Sequence, residues 1–249
     1  MVTTESQTAS PLDRSASAGA LTVPLAEVRS PDVLIVGGKG ANLGELLGSG
    51  FPVPSGFVVT AEAYRRVVEE SGIQQRLADI TRDAATAAPD ELTELASTAR
   101  GLLVDVNVPD DLVAEVTRMY AEHCDGERVA VRSSATAEDT AETSFAGMNE
   151  SFTNVADVDL LDRLVDCWVS LFGERVVAYR AERGLVDEPA IAVVVQRMVS
   201  SDRSGVMFTA DPARPDQLMI EAAFGLGEVV VSGAVEPDTY RVDRGSTGV

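Results

Sequence analysis

The sequence predicts an α+β fold, rich in helices in its first part and rich in strands in its last part. Up to about residue 185, apolar residues recur mainly at helical spacing between the prolines and glycines that begin and end helices. After that point they occur in short β-type runs separated by turns. We therefore expect a disordered tail over residues 1–20, a helix-rich first lobe over residues 21–188 and a strand-rich second lobe over residues 189–249.

The tail is predicted from its richness in Ser, Thr and Ala. Next comes "DVLIVGGKGANLGELLGSG", which predicts a short apolar run, a glycine turn and a short helix ended by Gly48 and Gly50. The stretch "GFVVT" predicts a strand, with Thr60 as the N-cap of a helix that ends at Gly72.

Two further helices are predicted to begin at Pro89 and Pro109, with acidic residues in their first turns. "ERVAVRSS" predicts a strand, followed by a long polar loop. A helical repeat broken at Gly173 comes next, and then four strand-like runs: "AIAVVVQRMVSS", "SGVMFTADP", "DQLMIEAAFGLGE" and "DTYRVDR". The helical repeat predicts five core-facing residues: Leu161, Leu164, Trp168, Leu171 and Phe172.

Charge and composition exclude several classes of function. Twenty Lys and Arg against 40 Asp and Glu give a net charge of -20. A general nucleic-acid binder or a protein attracted to anionic membranes needs a basic surface. Cys124 and Cys167 have no metal-ligand spacing, so we expect reduced thiols in a cytoplasmic protein. A single histidine, His123, excludes Ser–His–Asp, Cys–His and multi-histidine metal sites.

Lys39 is the only lysine, and it lies between glycines in "GGKGANLG". The pattern is neither a P-loop, because Gly40 follows the lysine, nor a G-x-G-x-x-G loop, because Leu43 occupies the third glycine position. A solvated lysine in a turn remains an alternative. The glycines nevertheless allow a close approach of the backbone to a ligand, and an ammonium on a flexible stem suits a phosphate.

Two other stretches contain candidate binding residues. Arg132, followed by hydroxyl residues in "RSSAT", suggests a phosphate cradle; the alternative is a surface arginine paired with Glu138 or Asp139.

Further along, Val193–Val195 could form an apolar slot for a base, with Gln196 reading its edge. Glu221 and Glu228 could hold ribose hydroxyls or a metal, unless they are solvated carboxylates at a sheet edge.

Together these stretches resemble the N-terminal ATP-binding domain of the phosphoenolpyruvate synthase and pyruvate phosphate dikinase family. The resemblance extends from about Leu34 to Asp243 and rests on motifs in a fixed order: "GGKGANLGEL", "VPSGFVVTAEAY", "VAVRSSATAED", "SFAG", "SLF", "AYR", "VVVQRMV", "SGVMFTADP" and "GLGE". It implies an ATP-grasp fold, with ATP between two lobes and Mg²⁺ as a further cofactor.

Carried over to this sequence, the resemblance implies that Lys39 and Arg132 are the catalytic contacts to the phosphates. Gly147 and Ser151 would belong to a loop that closes over them.

The nucleoside would be held by other residues. Gln196, with the backbone near Met198, would lie at the adenine, and Glu228 would lie on the ribose side. The implied enzyme is an ATP-dependent phosphotransferase. It transfers the β-phosphoryl group through a histidine on a separate domain, leaving AMP and phosphate.

The family's metal-binding carboxylate, and the Gln and Arg that follow it, lie in a later strand pair that this sequence does not contain. We therefore expect a fragment or a stand-alone remnant with an incomplete second lobe, an exposed sheet edge and unknown metal ligands. The histidine and acceptor domains are expected elsewhere. The resemblance implies the ATP-binding domain of a phosphoenolpyruvate-synthase-like (pyruvate, water dikinase) phosphotransferase. The alternatives are the ATP-binding domain of a rifampin phosphotransferase and a non-catalytic nucleotide-binding module.

Overall fold

A computed structural model describes residues 19–136, 150–211 and 213–245. It contains both helices and sheets, so the predicted α+β class is confirmed. The chain divides into two compact units, Met1–Met198 and Val199–Val249. The helices of four or more residues are α1 (Val33–Gly48), α2 (Ala61–Glu70), α3 (Gln74–Ala84), α4 (Pro89–Val104), α5 (Asp110–Cys124), α6 (Leu160–Ser170), α7 (Glu174–Glu182) and α8 (Glu228–Val231). The strands are β1 (Thr22–Pro24), β2 (Gly56–Val59), β3 (Val129–Ala135), β4 (Ser151–Val155), β5 (Ile191–Arg197), β6 (Arg203–Phe208), β7 (Gln217–Phe224) and β8 (Asp238–Asp243).

The first unit is built around a five-stranded antiparallel sheet of order β1-β2-β5-β3-β4. Its central strand β5 is buried on both faces, and successive side chains enter two different apolar clusters. The large cluster contains Val193 and Val195 together with residues of helices α2 to α7. The small cluster consists of Val23, Leu25, Val28, Val36, Ala41, Val58, Ala192 and Val194. Helix α1 therefore covers one face of the sheet alongside the N-terminal segment, while helices α2 to α7 cover the opposite face.

Several local signals occupy the positions predicted for them. The Thr60 hydroxyl caps α2 by accepting from the Ala63 N–H at 3.4 Å. Gly72 has a φ of +69°, in the left-handed region favoured after a helix, and Gly173 separates α6 from α7. Four of the five predicted core residues of the α6 region are buried, and Leu161 is partly buried against the large cluster.

The boundary between the two units differs from the expected one at residue 188. Strand β5 pairs with both β2 and β3, so it is the centre of the first sheet and not the start of a second lobe. The compact units accordingly divide after Met198. Residues 1–18 of the predicted tail lie outside the described residues. Ala20, which also belongs to the predicted tail, is attached to the first unit, because its carbonyl accepts a 2.7 Å hydrogen bond from the Thr60 hydroxyl.

The second unit is a three-stranded antiparallel sheet of order β6-β7-β8, together with the short helix α8. Strand β8 forms an edge of this sheet and is exposed along its length. Asp211 links the turn before β7 to β8, because its carboxylate accepts from the Ala213 N–H at 2.9 Å and from the Arg241 guanidinium at 2.8 Å. In neither unit is any described helix both long enough and apolar enough to cross a bilayer.

Both cysteines lie in the large cluster and are free thiols. Burial raises the pKa of Cys124 to about 11 and that of Cys167 to about 12, so the reactive thiolate is scarce at neutral pH. We predict that Ellman's reagent at pH 8 labels neither thiol in the native protein and labels both in guanidinium. Rapid labelling of either thiol without denaturant would contradict their burial in the large cluster.

Candidate functional site

Helix α1 is broken at Gly37, two residues before Lys39. Gly37 has φ 71° and ψ 172°, a backbone conformation that only glycine adopts readily. A Cβ at this position would lie 2.2 Å from the backbone oxygen of Ser134 on β3. The turn therefore presses against the end of β3, and the helix resumes immediately after it. Lys39 consequently lies in the first turn of the resumed helix, where backbone N–H groups point outward and favour anions.

The sheet register places three of the candidate residues on one face. Arg132 is opposite Val194 on one side and Ser151 on the other, and Gln196 is opposite Ala130 on β3. Paired residues share a face, and residues two apart along a strand share it too. Because Val194 belongs to the small cluster with Val36 of α1, this face is the one that α1 covers. Sequence segments far apart in the chain thus meet on the α1 face.

Arg132 is a half-buried cation without a protein partner among the described residues. Its guanidinium makes neither a hydrogen bond nor an ion pair in residues 19–136, 150–211 or 213–245. Glu138 and Asp139, the alternative partners considered from sequence, lie outside these ranges. A guanidinium with its donors unused can bind a phosphate or carboxylate through two parallel hydrogen bonds.

The charge of Lys39 acts on the buried thiol of Cys167. Burial is the main cause of the raised pKa of Cys167; Asp166 and Glu150 raise it further, and the nearby Lys39 ammonium lowers it. Glu150 in turn is fixed to β3, because its carbonyl accepts from the N–H and the hydroxyl of Ser133, each at 3.0 Å. The backbone on either side of Lys39 is bonded to Ser134 of β3, and Ser151 of β4 is paired with Arg132 two residues earlier on the same strand.

Comparison with known proteins identifies the family of this chain. The family described as "Pyruvate phosphate dikinase, AMP/ATP-binding domain" matches residues 33–249. The chain belongs to this family.

Curated relatives of this domain carry two kinds of name. A probable phosphoenolpyruvate synthase of Methanothermobacter thermautotrophicus is 42% identical over 228 residues, covering 88% of this chain and 33% of the relative. One from Archaeoglobus fulgidus is 44% identical over 227 residues, covering 88% of this chain and 30% of the relative. A rifampicin phosphotransferase of Streptomyces sviceus is 42% identical over 230 residues, covering 89% of this chain and 26% of the relative. The chain thus spans a third or less of the length of these relatives.

The side chains of Val193–Val195 do not line an open apolar slot, so this prediction is wrong for the side chains. Val193–Val195 are fully buried in the two clusters, because β5 is the central strand of the sheet. Gln196 is also buried, and its side-chain amide donates to the Pro54 carbonyl at 3.1 Å. The Met198 N–H donates to the Arg128 carbonyl at 3.0 Å, so that donor is already used.

The hydroxyl groups after Arg132 do not form the predicted phosphate cradle either. Each of them donates its proton to a backbone carbonyl of the chain. The pairs are Ser133 with Glu150, Ser134 with Val36 and Thr136 with Ala190, at 3.0, 2.9 and 3.0 Å. Because phosphate oxygens need donors, the cradle predicted from sequence is reduced to Arg132 and backbone groups. Sequence reasoning missed this internal use of the hydroxyls, which depends on how β3 packs against α1.

The remaining candidates are outside the described part of the first unit. Glu221 is on β7, opposite Thr239 of β8, and Glu228 is the first residue of α8; both belong to the second unit. Gly147 lies outside the described residues. Within the described ranges, no group of three or more His, Cys, Asp or Glu is arranged to hold a metal ion.

Proposed function

We propose that this chain is the ATP-binding domain of a phosphoenolpyruvate-synthase-like phosphotransferase and that Lys39 and Arg132 bind the ATP phosphates. The observation that carries the proposal is that Ser134, which bonds Val36 and Gly40 on either side of Lys39, lies two residues after Arg132 on the same face of β3. The family's name supports a nucleotide ligand. The net charge of -20 on the 249 residues makes local cations necessary, since this chain as a whole repels an anion such as ATP.

In this proposal the two cations have different tasks. The Arg132 guanidinium, positioned by a strand, holds two oxygens of one phosphate in a fixed geometry. The Lys39 ammonium, on a flexible stem, remains with a phosphoryl group as negative charge redistributes during transfer. Gly147 is proposed to belong to a loop over the phosphates, and Ser151, which is the first residue of β4 and not a loop residue, to lie where that loop ends. Gln196 and Met198 are proposed to lie near the adenine, and Glu228 near the ribose.

The proposed fold type is ATP-grasp, in which two lobes hold the nucleotide. Mg²⁺ is proposed as the companion of ATP. It is commonly bound by substrate phosphates and one or two carboxylates, so its use does not require a cluster of three protein ligands. When bound, it would neutralise phosphate charge.

The complete enzyme is proposed to work in the cytoplasm and to release AMP and phosphate by way of a histidine on another domain. Pyruvate is the proposed acceptor. A rifamycin acceptor is the second candidate, and the 42% identity to the Streptomyces sviceus rifampicin phosphotransferase favours keeping it. The test between them is an assay of the complete protein with each acceptor. A nucleotide-binding module without activity would show ATP binding and no turnover with either.

The phosphate role of Lys39 is tested by Lys39→Ala in the complete protein. We expect AMP formation to fall by about 10²-fold or more, because a preorganised charge at the phosphates is lost. In calorimetric titrations of the 249-residue chain, Lys39→Ala is expected to bind ATP more weakly than the unaltered chain does. Lys39→Arg keeps the charge and should lose less activity.

The matched control is Arg65→Ala, which removes an exposed cation paired with Glu62 on α2. Its AMP formation should equal that of the unaltered protein, which separates a local effect from a change in net charge. Normal AMP formation and ATP affinity in Lys39→Ala would remove Lys39 from the site and the proposal with it.

A further inference from the structure

We infer that Ser134 is the positioning residue for Lys39: its hydroxyl fixes the Gly37 turn and so determines where the Lys39 ammonium lies. This inference rests on the proposed phosphate role of Lys39. It adds a residue without ligand contact to the machinery of the site.

The Ser134 hydroxyl bonds the chain on both sides of Lys39. It donates to the Val36 carbonyl at 2.9 Å and accepts from the Gly40 N–H at 3.2 Å. Ser134 is fully buried, so water does not compete for these bonds. One hydroxyl has one donor and two acceptor sites, and here it joins the residue before the turn to the residue after it.

These bonds connect the two cations of the proposed site. Ser134 is on β3 two residues after Arg132, and a strand is a rigid spacer between them. Lys39 lies between Val36 and Gly40, which are both bonded to Ser134. The hydroxyl thereby sets the position of the ammonium relative to the guanidinium, and two phosphate contacts require that relation to be fixed.

The close packing of the turn agrees with this role. The Gly37 Cα is so near β3 that a Cβ would lie 2.3 Å from the Ser134 hydroxyl oxygen. At the middle of α1, Gly44 packs closely against Val28, where a Cβ would lie 2.5 Å from the carbonyl oxygen. Helix α1 is thus held at its middle by contact with the N-terminal segment. At the Lys39 end, Ser134 supplies the side-chain hydrogen bonds.

The test is a double-mutant cycle on the 249-residue chain, with Ser134→Ala made both in the unaltered protein and in Lys39→Ala. The readout is the ATP dissociation constant from calorimetry. We expect Ser134→Ala to weaken ATP binding about tenfold when Lys39 is present and to have little further effect when Lys39 is alanine. A residue that merely stabilises the fold would weaken binding equally in both backgrounds.

Thr81→Val is the matched control, since it removes another buried hydroxyl, which donates to the Leu77 carbonyl at 2.9 Å in α3. It should lower the melting temperature without changing the ATP dissociation constant. If Ser134→Ala is too unstable to titrate, Ser134→Cys retains a side chain there with only a weak donor, and the same cycle applies.

The outcomes separate the two claims. Equal losses from Ser134→Ala in both backgrounds overturn the positioning role while leaving Lys39 in the site. Unchanged binding in Lys39→Ala alone overturns the phosphate role of Lys39, and the positioning role with it.

Discussion

Gly37→Ala is expected to lower the free energy of unfolding of the first unit by about 2–6 kcal/mol. About 1–3 kcal/mol comes from forcing a non-glycine residue into the φ 71°, ψ 172° conformation. A further contribution of about 1–3 kcal/mol comes from the new methyl group, which would lie 2.2 Å from the Ser134 backbone oxygen and would push α1 away from β3. Guanidinium titration followed by tryptophan fluorescence measures the loss, because Trp168 is the only tryptophan and lies in the first unit.

Gly50→Ala is the control for this change. Gly50 also has a positive φ, +83°, but a Cβ there would meet nothing within 4 Å. It should therefore lose only the conformational part, about 1–2 kcal/mol. Equal losses in the two variants would show that the contact with β3 contributes nothing. Gly37→Ala should also weaken ATP binding, since it displaces the turn that holds Lys39, whereas Gly50→Ala should not.

The elements that could be predicted from sequence are those fixed by local chemistry. The Thr60 cap, the proline that begins α4 and the glycine between α6 and α7 act through their own backbone preferences, so each signal is readable without knowing the fold. The singularity of Lys39 between glycines is likewise a property of the sequence alone. These features place the candidate cations on a turn and a strand, but not relative to each other.

What could not be predicted depends on long-range pairing. A continuous apolar run such as Val193–Val195 is compatible with a ligand slot or with a central strand, since it lacks the alternation that marks a one-sided surface. Only the pairing of β5 with β2 and β3 shows that both of its faces are covered. The same pairing assigns Arg132 and Gln196 to the α1 face. It also brings Ser134 next to Gly40, which is 94 residues earlier in the chain.

Trp168→Ala is the second change for which we expect a large effect: a loss of about 3–5 kcal/mol in the free energy of unfolding of the first unit. Trp168 is fully buried in the large cluster, and its ring centroid lies 6.2 Å from that of Tyr64 at an interplanar angle of 59°. Removing the indole leaves a cavity where α6 meets α2, and close-packed neighbours fill such a space only in part. Because the variant has no tryptophan, far-UV circular dichroism in guanidinium is the measurement.

Two milder variants show which property of the indole matters. The indole N–H of Trp168 and the hydroxyl of Tyr64 are both buried without a hydrogen-bond partner among the described residues. Burying an unsatisfied polar group costs about 1–3 kcal/mol. Removing such a group therefore recovers part of the stability that is lost when the ring around it is made smaller. Trp168→Phe should therefore be far less destabilising than Trp168→Ala, and Tyr64→Phe should be neutral or stabilising. If Trp168→Phe loses as much as Trp168→Ala, the N–H has a partner after all, and polar satisfaction, rather than packed volume, is what the indole contributes to the core.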